Sequence, residues 1–73
     1  MKLTLYVLFT TGLETTFVYA LDEKHALERK KAWLAERPHL SVKEVQAYPD
    51  GFVPGQARRL PGSIEVDDAG GLV

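Results

Sequence analysis

The sequence predicts an α+β fold: a single small ββαβ(β) domain over residues 1–66, with a mainly antiparallel sheet of order 2-1-3 for its first three strands and one helix packed on one face. Three observations predict it. Two β-forming runs precede the only long helical stretch and a third follows it; Pro/Gly turns after residue 48 cut the remainder into short pieces; and 73 residues suffice for one core only.

Residues 3–9 alternate Leu3, Leu5, Val7 and Phe9 with Thr4, Tyr6 and Leu8, a strand that is apolar on both sides and therefore suited to the sheet centre. Thr10, Thr11 and Gly12 supply a turn, and residues 15–21 (TTFVYAL) return as the second strand of a hairpin. Residues 22–37 form the helix. Asp22 is a good N-cap, Glu23 suits the positive end of the helix dipole, strong helix formers fill the interior, and Pro38 stops it. At about 100° per residue, Trp33 falls on one arc with Ala26, Leu27 and Leu34, and Lys30 lies near the middle of that arc. So narrow an apolar stripe must be laid on a sheet to be stable.

Residues 41–48 (SVKEVQAY) read as a third strand in which Val42 and Val45 fall out of period-two step, so a bulge is expected near Lys43 and Glu44. The crossover rule for parallel strands leaves few arrangements, and the simplest sets strand three beside strand one. Pro49, Asp50 and Gly51 mark a turn with glycine in the left-handed position. Phe52 and Val53 suggest a short strand, and Ile64 and Val66 alternate with Glu65 as an edge strand. Residues 67–73 read as a flexible C-terminal tail.

The expected core sets Leu3, Leu5, Val7 and Phe9 with Val18, Ala20, Val45 and Ala47 against the helix. The opposite face then shows Tyr6, Leu8, Phe17, Tyr19, Gln46 and Tyr48 with no second helix to cover it. Rings in that number exceed the apolar patch a soluble monomer ordinarily exposes. The cover is the C-terminal segment (Phe52, Val53, Leu60, Ile64, Val66), a second copy of the chain, or another partner. The candidate binding residues are accordingly Tyr6, Phe17, Tyr19 and Tyr48, with Arg58 and Arg59 as a nearby basic pair.

Composition narrows the function. There is no cysteine, hence no disulfide framework and no thiolate metal site, which fits a reducing, cytoplasmic setting. A secretory reading of residues 1–20 fails because Thr4 interrupts the apolar run and Glu14 follows it, and no stretch approaches the about 18 apolar residues of a membrane span. The formal charge of −1 lacks the basic excess that phosphate contacts demand, and Glu23, Glu28 and Glu36 interleave Lys24, Arg29, Lys30 and Lys31. A nucleic-acid platform on the sheet aromatics is the disfavoured alternative to protein binding. Lys30 reads as an amine whose methylenes lie on the sheet, reaching towards Glu14 or Glu44, and His25 and His39 as surface residues without metal-ligand spacing. Nothing supplies a paired general acid and base, an activated nucleophile, a phosphate loop or a cofactor site, so the expectation is a non-catalytic regulator, adaptor or inhibitor.

Thr4, Leu5 and Tyr6, then ten residues, then Phe17, Val18 and Tyr19, with Arg29 in the helix beyond, resembles the spacing of the GIY-YIG nucleases. That resemblance implies a hairpin-led domain whose Tyr6 and Arg29 serve phosphodiester cleavage. Neither motif glycine is present, Phe17 stands at the second tyrosine, and no metal-binding glutamate follows in a second helix. These departures leave the spacing as a coincidence of an aromatic hairpin.

Overall fold

The computed structural model describes residues 1–53 and 58–66. Strands β1 (Lys2–Thr10) and β2 (Thr15–Ala20) form the expected hairpin, helices α1 (Glu23–Arg29) and α2 (Lys31–Ala35) follow, and β3 (Val42–Ala47) and β4 (Ser63–Glu65) complete an antiparallel sheet. The order is β2-β1-β3, with β4 also on β1. Leu5 shows how one central strand serves two neighbours: its carbonyl accepts from Tyr48 N–H and its own N–H donates to the Gly62 carbonyl, both at 2.8 Å. Thus β3 and β4 lie end to end along the side of β1 away from β2. Beyond β4 the pairing continues between Val66 N–H and the Met1 carbonyl at 2.9 Å. The tail expected over 67–73 lies outside the described residues.

The sequence expectation of one helix over 22–37 is corrected to two short ones. Asp22 caps α1 by accepting from His25 N–H at 2.8 Å, but at Lys30 the backbone moves to φ −100°, ψ 9°, the bridge region, and α2 starts anew. Contact with the sheet is made chiefly by α1. Ala26 is fully buried, whereas α2 contributes no buried residue, so Trp33 does not lie in the core as expected. The bulge does occur where periodicity requires it: Phe9 pairs Glu44 and Thr10 pairs Val42, which leaves Lys43 as the extra residue.

The facing of β1 is also corrected. Residues directly opposite in an antiparallel pair share a face, and Tyr6 stands opposite Val18 and Ala47, Leu8 opposite Thr16 and Val45. Tyr6 and Leu8 therefore belong to the helix side, where Leu8, Ala20 and Ala26 form a buried cluster with Tyr6, Val18, Val42 and Val45 packed against it. Leu5 stands opposite Tyr19, Val7 opposite Phe17 and Gln46, and Leu3 opposite Ile64, which puts them on the face that, among the described residues, carries no helix. A one-residue slip inverts every side chain of a strand, and β1 is apolar at both parities, so either facing satisfies its pattern.

The helix-free face is nonetheless closed at one end. Leu3, Leu5 and Val7 are at most 1% exposed. The returning segment ties down there: the Tyr19 hydroxyl donates to the Pro61 carbonyl at 2.7 Å, Phe52 and Leu60 exchange backbone bonds at 3.1 and 2.7 Å, and the Tyr48 and Phe52 rings meet edge to face at 4.8 Å. The short strand expected at Phe52 and Val53 is only this single bridge. The turn ahead of it closes by Gly51 N–H donating to the Tyr48 carbonyl at 3.0 Å, and Gly51 has the anticipated positive φ of 100°.

Candidate interaction surface

Of the residues singled out as a binding face, the structure sets Phe17, Tyr19 and Tyr48 on one face, Tyr48 across β1 from the other two, and separates Tyr6, which packs on the helix side. Phe17 is the outlier of the set. At 41% exposure it is a large apolar ring left in water on β2, opposite the fully buried Val7. Tyr19 and Tyr48 are half-buried and their hydroxyls are engaged, Tyr19 with Pro61 and Tyr48 with Gln46 Oε1 at 3.0 Å. Burial pushes the Tyr19 phenol above its ordinary value. Arg58 and Arg59 are exposed, and the Arg59 guanidinium donates to the Asp50 carbonyl, bracing the 48–51 turn.

The face is thus asymmetric. Along β3, Glu44, Gln46 and Tyr48 form a polar file, since Gln46 Nε2 donates to Glu44 Oε2 and Tyr48 to Gln46. Along β2 it is apolar around Phe17, and Leu21 just past the strand is exposed as well.

A second cluster, which sequence spacing did not announce, joins the hairpin tip to α2. Arg37 Nε donates to Glu14 Oε1 at 3.2 Å, its guanidinium carbon lies 4.2 Å from the centre of the Trp33 ring, and Nη1 donates to the Trp33 carbonyl at 3.1 Å. Beside Glu14, Leu13 is fully exposed. Glu14 therefore serves Arg37 rather than Lys30. Burial, reinforced by repulsion from Arg29 and Arg37, holds the Lys30 amine below its ordinary value. His25 is not idle either: its Nδ1 accepts from Leu21 N–H at 2.9 Å, closing the junction between β2 and α1.

Among the described residues, no three His, Asp or Glu side chains come together as a metal site, and no helix is long and apolar enough to cross a membrane. The chain matches no protein-family model, no curated protein and no solved structure.

Proposed function

We propose that this protein is a small non-catalytic protein-binding module of the regulator, adaptor or inhibitor kind, working in the cytoplasm through the helix-free face of its sheet. The observation that carries the reading is Phe17. A chain this short has few large apolar side chains, and burying a phenylalanine is worth about 1.5–3 kcal/mol, so a ring left 41% exposed on a strand forgoes stability that a partner can restore. The polar file on β3 and the engaged hydroxyls of Tyr19 and Tyr48 support β2 over β3 as the binding surface. Arg59, which a nucleic-acid platform would need free, is bonded to the Asp50 carbonyl.

The test is co-purification from native lysate with the wild-type chain and with Phe17→Ser, each checked for fold by circular dichroism. A polypeptide retained by the first and lost from the second supports the reading. Equal retention by both removes the surface from consideration, and salt-sensitive retention of single-stranded nucleic acid in place of protein replaces the reading altogether.

A further inference from the structure

The outer edge of β2 has a polarity that can be read from its neighbour. In an antiparallel ladder, consecutive residues turn their backbone N–H and C=O alternately to one side and the other. Leu5 directs both groups to the β3 and β4 side, so Leu5 and Tyr19 are a pair that exchanges no bonds, and the backbone groups of Tyr19 point away from β1. Stepping by two, the same holds for Phe17 and Thr15, opposite Val7 and Phe9. The next outward N–H, that of Leu21, is already taken by His25 Nδ1. Among the described residues no strand pairs with this edge. What remains open is Thr15, Phe17 and Tyr19, with Phe17 in the middle.

Exposed edges are ordinarily blunted by lysine, proline, inward charge or a bulge. The opposite edge of the sheet has such protection, since β3 carries the Lys43 bulge and Glu44. β2, TTFVYA, has no charge, no proline and no bulge. Resting on the reading that the protein works by association, we infer that β2 is the interface of a two-fold dimer, paired antiparallel with β2 of a second copy in the register that sets Phe17 opposite Phe17 of the partner subunit.

A two-fold axis through an antiparallel pair runs perpendicular to the sheet, so helix-free faces stay together and residues of equal parity meet. Centred on Phe17, this register lets Thr15 and Tyr19 of opposite copies exchange bonds and Phe17 exchange bonds with its own image. Every open group is satisfied and the Leu21–His25 bond is untouched. Centring on Val18 would instead require the Leu21 N–H that His25 holds. The chosen register also brings the two half-exposed Phe17 rings side by side, an aromatic cross-strand pair. An uncharged strand meets its copy without like-charge repulsion, and a formal charge of −1 offers little long-range opposition.

The absence of cysteine makes the register directly testable. In a bonded antiparallel pair the Cα atoms are about 5.5 Å apart, within disulfide reach, so Phe17→Cys should cross-link to its own image under mild oxidation. Thr15→Cys is the control: its image lies four residues along the partner strand, about 14 Å away at about 3.4 Å per residue, and it should cross-link at least about tenfold more slowly. Sedimentation equilibrium should give twice the 8.1 kDa chain mass for the wild type, and Phe17→Lys, which sets two ammoniums opposite each other, should be monomeric with an unchanged far-ultraviolet spectrum. A wild-type monomer at all concentrations, equal cross-linking of both cysteine variants, or a dimer that survives Phe17→Lys overturns the inference. A monomer that still captures another polypeptide through Phe17 removes the dimer and leaves the protein-binding reading standing, whereas a chain that neither dimerises nor captures anything removes both.

Discussion

Gly62→Ala probes the closure of the helix-free face at its tightest point. A Cβ built on Gly62 would fall inside the contact distance of the Pro49 carbonyl carbon and oxygen and within 2.7 Å of Gly51 N, all of them backbone atoms that no rotamer change can move aside. Both segments are anchored to Leu5, one through Tyr48 N–H and one through the Gly62 carbonyl, at 2.8 Å each. Relief therefore means stretching or breaking at least one of two hydrogen bonds, at about 0.5–1.5 kcal/mol each, in addition to the about 1–3 kcal/mol typical of overpacking. A total of about 2–4 kcal/mol is expected, a large share of the about 4–11 kcal/mol available to a 73-residue domain. At about 4–8 °C per kcal/mol for a domain of this size, the midpoint of thermal unfolding should fall by about 8–32 °C. Urea titration followed by circular dichroism and by Trp33 fluorescence measures the same loss. A variant within about 0.5 kcal/mol of wild type, the range of an ordinary surface substitution, would mean that the 48–51 turn does not pass against Gly62.

Other perturbations have smaller expected effects. Arg37→Ala should cost about 0.7–2 kcal/mol, combining a cation–π contact of about 0.5–1 with an exposed ion pair of about 0.2–1, and a double-mutant cycle with Glu14→Ala should return only the ion-pair part. Asp22→Ala should cost about 0.5–2 kcal/mol by removing the acceptor of His25 N–H, seen as reduced helical ellipticity and a lower urea midpoint. The Tyr19 phenol should titrate above its ordinary 10.0, read as the tyrosinate absorbance that Tyr19→Phe removes. Between 10.0 and the raised value the folded state keeps a proton that the unfolded state gives up, so stability falls as pH rises through that window; a Tyr19→Phe variant with the same alkaline profile as wild type would contradict this.

Local chemistry was the most legible part of this sequence. Asp22 is the N-cap, Lys43 the bulged residue and Gly51 the residue with positive φ because each is decided by its immediate neighbours. The strand order followed from β1 being apolar throughout. That same property hid its facing: with Leu5 and Val7 at one parity and Tyr6 and Leu8 at the other, hydrophobic pattern alone does not say which set meets the helix, and hairpin register decides it. For this reason the sequence pattern groups Tyr6 with Phe17 and Tyr19 although register separates them. The break at Lys30 left no mark because every residue from Glu23 to Arg37 except Trp33 and His25 is a strong helix former. Glu14 and Arg37 are 23 residues apart, beyond any local rule. The open edge of β2 was equally out of reach, since the direction of a backbone N–H depends on register.

Residue-resolved amide hydrogen exchange on β2, at two protein concentrations, tests most directly the claim that this edge is built to be paired. The N–H groups of Thr16, Val18 and Ala20, which face β1, should be protected at both. Those of Phe17 and Tyr19 should exchange freely in dilute solution and become protected as concentration rises. Rapid exchange of Phe17 and Tyr19 at every concentration would contradict the pairing, and protection of the outward set with loss of the inward one would contradict the register of the sheet itself.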